Sequence, residues 1–189
     1  DRRKHELARA LAELLPVLGV YERSDVDVRR HEGLGPSVGP LVGETPPPTI
    51  LMREHGLGFQ VDLLAGHKTG FYLDQRVSRA RVGQYAAGAE VLNAFCYTGA
   101  FSVYAAQAGA ASCVNLDASA DALALAQANM ALNHLPPAES IEGDAFQTLR
   151  DLWRQGRTFD LVVLDPPKFA QSQRQVERAA DLGYTVLFA

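Results

Sequence analysis

Residues 89–101 read Ala89-Glu90-Val91-Leu92-Asn93-Ala94-Phe95-Cys96-Tyr97-Thr98-Gly99-Ala100-Phe101. The run from 89 to 95 has the length and apolar texture of a buried strand, and a helix follows from Gly99 to about Ala108. A glycine between strand and helix permits a tight turn and lets backbone amides approach a ligand closely. The same alternation continues downstream. Residues 112–116 read as a second strand and 119–132, rich in Ala and Leu, as a second helix. Residues 140–142 and 145–154 form the next strand and helix, and 159–164 (Phe-Asp-Leu-Val-Val-Leu) a fourth strand that is apolar enough to be covered on both faces. Residues 172–188 look helical. Strands alternating with helices of this length predict βαβ units with right-handed crossovers, hence an α/β fold on a parallel sheet. Ligands of such sheets bind at the carboxyl ends of the strands.

The informative residues fall at those ends. Only Gly99 is present where the dinucleotide fingerprint needs three glycines, which disfavours a nicotinamide dehydrogenase. Asp117 ends the second strand, where a carboxylate can accept hydrogen bonds from both hydroxyls of a ribose. Asp144 follows the third strand in Gly143-Asp144-Ala145-Phe146, placed to meet an adenine edge, with Phe146 available to pack on the ring. Asp165 ends the fourth strand in Asp165-Pro166-Pro167-Lys168-Phe169. A single Asp after a strand is most often a helix cap. Three acids at successive strand ends beside a glycine turn point instead to an adenosine-containing ligand.

Upstream, residues 3–15 read as an amphipathic helix with Leu7, Leu11, Leu14 and Leu15 on one face. Residues 17–29 should be largely extended. Gly33, Gly35, Gly39 and Gly43, with Pro36, Pro40 and Pro46 to Pro48, mark 33–48 as a loop or linker. Residues 50–54 and 57–63 read as two strands joined at His55-Gly56 in a tight hairpin. The expected division is a small α+β accessory region over 1–77 and a ligand-binding α/β domain over 78–189.

Composition sets bounds. The chain has 189 residues and a net charge of −4, which argues against a dedicated nucleic-acid binder. Residues 1–81 carry 12 basic and 11 acidic side chains, against 6 and 11 in the remainder, too slight an asymmetry to mark an RNA surface. No apolar run approaches the ~18 residues of a membrane span. Cys96 and Cys113 are too few for a disulfide framework and lack metal-ligand spacing, so no metal is expected and a reducing cytoplasm is the default. Cys113 lies within a strand and reads as core, and Cys96 in the turn reads as packing.

Asn93-x-Phe95-x-Tyr97-Thr98-Gly99, the Asp117 strand, Gly143-Asp144 and Asp165-Pro166-Pro167-Lys168-Phe169 together resemble bacterial 23S ribosomal RNA methyltransferases of the 5-methylcytosine type. Gly66-His67-Lys68-Thr69-Gly70-Phe71-Tyr72-Leu73-Asp74-Gln75-Arg76 is similar to that family and to its guanine-N7 relatives. The resemblance covers roughly residues 20–189. It implies a Rossmann-like class I methyltransferase fold, S-adenosylmethionine as cofactor and 23S ribosomal RNA as partner, and leaves a homodimer open. It places Lys68, Thr69, Gly70, Phe71, Asp74 and Arg76 at the closing segment of the cofactor pocket. There Lys68 or Arg76 could meet the methionine carboxylate, and Phe71 or Tyr72 the apolar surface of the cofactor. It assigns Asn93, Phe95, Tyr97, Thr98, Gly99, Asp117, Asp144, Ala145, Phe146 and Asp165 to the rest of that pocket. Asp165, Pro166, Pro167 and Lys168 would form the catalytic loop, the prolines stiffening it so that Asp165 positions the base, with acid–base work second.

Two departures from the family pattern bear on activity. No PUA domain precedes the central region, and the chain begins at Asp1 and stops within the helix after the fourth strand. The nucleophilic cysteine of the 5-methylcytosine type is therefore expected beyond Ala189, and the 189 residues alone are expected to be inactive. A guanine-N7 enzyme and a non-catalytic cofactor- or RNA-binding fragment are the alternatives.

Overall fold

The structure is a computed structural model and describes residues 2–25, 29, 32–66 and 69–166. The chain divides into two compact units, Asp1–Arg76 and Val77–Ala189.

In the first unit, helix α1 (Lys4–Leu14) is followed by strands β1 (Gly19–Ser24) and β2 (Ser37–Gly43), which pair antiparallel. The segment expected to be a loop is therefore a strand. Backbone pairing overrode its Gly and Pro content because β2 pairs with β1 alone among the described residues, so its outer edge needs no donors. The register slips between Val20, opposite Val42, and Tyr21, opposite Pro40. That irregularity accommodates a residue without an N–H, as edges and bulges do.

The leucine face of α1 also departs from expectation. Ala8 is the residue the helix buries, while Leu7 is 63% and Leu14 81% exposed. The side turned to the strands is set one helical turn earlier by Lys4. Its Nζ donates to Glu22 Oε2 at 2.8 Å and to Ser37 Oγ at 3.1 Å, and Ser37 Oγ donates to the same carboxylate at 2.8 Å. The hydrogen bond from Lys4 holds the Glu22 carboxyl down at about 2, from an ordinary 4.5. A depressed carboxyl stabilises the fold above its unfolded pKa, and that contribution disappears as pH falls from 4.5 through about 2. Thermal unfolding of the wild type should therefore lose more of its midpoint across that window than Glu22→Gln does. Parallel midpoint–pH curves for the two proteins would refute the assignment.

Strands β3 (Thr49–Glu54) and β4 (Leu57–Asp62) form the expected hairpin. His55 (φ 49°) and Gly56 (φ 84°) both lie in the left-handed region, which a two-residue type I′ turn requires. Beyond β4, the Asp62 carboxylate accepts from the amides of Leu64 and Ala65, and Arg23 donates to the carbonyls of Leu63 and Gly66. A short 3₁₀ turn, Leu73–Gln75, ends the unit. Helix α2 (Arg76–Tyr85), which the sequence reading did not foresee, carries the chain onward.

The second unit holds the predicted α/β alternation: β5 (Glu90–Ala94), α3 (Ala100–Gln107), β6 (Ser112–Asp117), α4 (Ala120–Leu132), β7 (Glu139–Glu142), α5 (Ala145–Arg154) and β8 (Leu161–Leu164). All pairings are parallel, in the order β7-β6-β5-β8. The chain builds outward from β5 through β6 to β7, then crosses to the other side of β5 to add β8. One face carries a core of Leu92, Ala94, Val114, Leu116, Ala145 and Leu152, with Phe95, Ile141, Leu149 and Phe159 packed on it. Strand β8 starts two residues later than expected, and among the described residues one of its faces is open. Val163 is buried, but Val162 is 52% and Leu164 57% exposed, because β8 is the outermost strand among the described residues. The helix expected over residues 172–188 lies outside the described residues.

Candidate functional site

The parallel register aligns the strand ends: Ala94 pairs with Leu116 and Leu164, and Asp117 with Glu142. The residues at and just beyond those ends, 95–99, 117–119, 143–144 and 165–166, therefore lie at the same end of the sheet. The order reverses between β5 and β8, and the turn after β5 opens where an α/β sheet has its ligand crevice.

That turn is strained and closely held. Phe95 (φ 58°), Tyr97 (φ 48°) and Gly99 (φ 71°) are all left-handed. For the two aromatic residues this costs of order 1–3 kcal/mol each and persists only where surrounding structure imposes it. The imposing contacts are visible. Cys96 N donates to Leu116 O at 3.1 Å, Tyr97 N to Asp117 Oδ2 at 2.8 Å, and Gly99 N to Cys96 O at 2.9 Å. A Cβ on Gly99 would lie 2.6 Å from the Ala126 Cβ, so glycine is required by close approach as well as by its dihedral. Helix α3 then starts without a side-chain cap, whereas Ser119 caps α4 and Asp144 caps α5. An uncapped first turn presents N–H donors and the positive end of the helix dipole to a ligand.

Asp117 is half-buried at the end of β6, its Oδ2 accepting from Tyr97 and its Oδ1 from Ser119 N at 3.0 Å. A carboxylate oxygen has more than one acceptor site, so this acid both fixes the turn and can take further donors. Asp144 is exposed, and its Oδ1 accepts from Gln147 N at 2.8 Å, the helix-cap geometry. Phe146, in the first turn of α5, meets Phe95 edge to face with centroids 5.9 Å apart, which sets an aromatic pair at the strand ends. Ala145 is buried in the core beneath.

Asn93 was expected to touch a ligand, and its side chain is instead wholly buried below the turn. Its amide donates to Ser102 Oγ at 3.0 Å, and Ser102 Oγ donates to Asn115 Oδ1 at 2.6 Å. The cause is strand parity: Asn93 points away from the Leu92 and Ala94 face, towards α3. Phe71 is likewise spent elsewhere. It is buried in the first unit with its ring 5.2 Å from Phe59, so it is not an open surface for a ligand. Gly70, left-handed at φ 84°, sits so close to β4 that a Cβ would collide with the Asp62 carbonyl. Thr69 Oγ1 donates to Phe71 O at 3.2 Å, while Asp74 and Arg76 are exposed. Thr69 to Arg76 belong to the first unit, and the strand-end residues to the second. Asp165 and Pro166 are exposed after β8. Lys68, Pro167 and Lys168 lie outside the described residues.

Sequence reasoning missed Ser102, Asn115 and Asn129, all wholly buried polar residues around the turn. A signal was available: Asn93 and Asn115 interrupt otherwise apolar buried strands and stand opposite each other in register.

Neither cysteine is activated. Burial, then the Asp117 carboxylate, pushes the Cys96 thiol far above its ordinary range, and burial pushes Cys113 up to about 11. No metal-binding cluster and no helix long and apolar enough to cross a membrane occur among the described residues.

An open parallel sheet, reversing beside a glycine turn that feeds an uncapped helix, with an acid ending the next strand, defines a Rossmann-like nucleotide-binding domain. A family model for S-adenosylmethionine-dependent methyltransferases matches residues 27–179, and the chain belongs to that family. It is 49% identical over 176 residues to a ribosomal RNA large subunit methyltransferase I of Tolumonas auensis, covering 92% of this chain and 44% of that protein. The protein of the same name in Shewanella frigidimarina is 51% identical over 166 residues, covering 87% and 42%. The chain thus spans less than half the length of these curated relatives. A crystal structure of a protein complexed with SAH superposes with a TM-score of 0.77 at 32% identity, covering 91% of this chain and 44% of that one.

Proposed function

We propose that the strand ends of the second unit hold S-adenosylmethionine for methyl transfer to 23S ribosomal RNA, at carbon 5 of a cytosine. The observation that carries the reading is the turn at 95–99, strained, closed by Asp117 and opening onto the uncapped α3. The relative solved with SAH and the large-subunit rRNA methyltransferases among the relatives support it.

In this reading the backbone of Tyr97, Thr98 and Gly99 approaches the cofactor, Asp117 accepts from ribose hydroxyls, and Phe95 with Phe146 flanks the adenine. Asp144 and Ala145 border the adenine edge, and Asn93 supports the turn from beneath. For residues 66–76 the reading keeps what the family resemblance implies, a segment in which Lys68 or Arg76 serves the methionine carboxylate. Thr69, Gly70, Phe71 and Asp74 shape that segment, Phe71 through its packing on Phe59. Asp165 positions the base, with Pro166 next to it limiting the backbone. The cofactor, when bound, supplies an electrophilic methyl group on a sulfonium centre.

Cytosine C5 attacks poorly until a thiolate adds at C6. The chain has two cysteines, and both are buried with raised thiols, so the nucleophile of this chemistry comes from outside these 189 residues. Incubation with tritiated S-adenosylmethionine and unmodified 23S rRNA is the test, with nucleoside analysis of the product. The 189-residue chain alone should leave the RNA unlabelled, while a full-length protein containing it should yield 5-methylcytidine. Label at guanine N7 would replace the cytosine assignment, and rapid labelling by the chain alone would place the nucleophile at Cys96 and overturn the mechanism.

A further inference from the structure

Asn129 lies in the last turn of α4, 31 residues beyond Thr98 in sequence and wholly buried. Its Nδ2 donates to the Thr98 carbonyl at 3.0 Å. On the far side of the same peptide bond, Gly99 N–H donates to Cys96 O at 2.9 Å. The Thr98–Gly99 peptide plane is therefore fixed at both ends, one bond coming from a neighbouring helix and one from within the turn. Since this peptide immediately precedes α3, its orientation decides where the first amides of that helix point. Ala126, one turn earlier on α4, fills the space a Gly99 side chain would occupy. The same helix thus both excludes a side chain and orients the backbone.

We propose that Asn129 is a positioning residue for the cofactor site: it locks the Thr98–Gly99 peptide so that the turn and the α3 N-terminus stand ready before the ligand arrives. This rests on the cofactor reading given above. A buried side-chain amide without a partner is costly, and here it donates to a carbonyl of the loop that carries three left-handed residues in five. Preorganisation of this kind lowers the ordering cost of binding and leaves little to reorganise later.

The test measures S-adenosylhomocysteine affinity by calorimetry, with hydrogen exchange of the 95–101 segment in the ligand-free state. The proteins are wild type, Asn129→Leu, the milder Asn129→Ser, and Met130→Ala as an equally buried neighbour on α4. Both Asn129 variants should bind about tenfold more weakly, the worth of one buried hydrogen bond, with faster exchange across 95–101. Met130→Ala should lower the thermal midpoint while binding within about twofold of wild type. In a full-length enzyme, Asn129→Ser should raise KM for the cofactor and leave kcat unchanged. If wild type binds and both Asn129 variants bind equally well, or if exchange across 95–101 does not change, the clamp is overturned while the cofactor reading stands. If wild type itself fails to bind, the cofactor reading falls, and the clamp's role in binding falls with it.

Discussion

Replacing Gly99 by alanine should destabilise the chain by about 2–5 kcal/mol, a large part of the 5–15 kcal/mol that holds a typical domain folded. Two costs add. At φ 71° an L-residue meets its own carbonyl, as the left-handed region always imposes. The new Cβ would also stand 2.6 Å from the Ala126 Cβ and 3.2 Å from its Cα. A rotamer change cannot relieve contact with a Cα, so α3 and α4 must separate or the turn must rearrange. Valine, which adds two methyl groups at the same point, should leave no folded second unit. Urea unfolding followed by far-ultraviolet circular dichroism measures both variants. A Gly99→Ala midpoint equal to wild type would mean that the turn relaxes freely, and the description of it as tightly held would be wrong.

The second large effect concerns Asp117. Asp117→Ala should weaken S-adenosylmethionine binding by about 1.5–3 kcal/mol, the range for hydrogen bonds to a charged group. The structure adds a cause that the residue's place at a strand end does not reveal. The carboxylate also accepts from Tyr97 and Ser119, so its removal releases the turn as well as any ribose contact. Asp117→Asn separates the two effects. It keeps an acceptor oxygen for one of the two backbone amides, and should therefore fall between wild type and alanine. Calorimetry gives the ordering. Binding of the alanine variant within twofold of wild type would reduce Asp117 to a turn-holding residue and displace the pocket.

The α/β half was legible because period and punctuation agreed. Apolar runs of strand length, Gly99 before α3, Ser119 before α4 and Asp144 before α5 marked most boundaries to within a residue or two. The hairpin at His55-Gly56 was legible for a similar reason, since its turn demands a left-handed pair that glycine completes. What failed depended on partners that a one-dimensional pattern does not contain. Strand β2 looks like a linker until β1 supplies its hydrogen bonds and the bulge absorbs Pro40. The leucines of α1 look like a core stripe, yet Lys4 finds Glu22 and turns Ala8 inward. In the site, sequence located the glycine turn and Asp117. It could not show that Asn93 faces down rather than up, because strand parity depends on which face is packed. Nor could it show that Phe71 is claimed by Phe59, twelve residues earlier.

The measurement that bears most directly on the whole reading is a crystal structure of this chain grown with S-adenosylhomocysteine. The predicted result places the ribose within hydrogen-bonding distance of Asp117, the adenine beside Phe146, and the remainder of the ligand over the backbone of 97–100. Ligand density at any other end or face of the β7-β6-β5-β8 sheet, with the 95–99 turn empty, would contradict it.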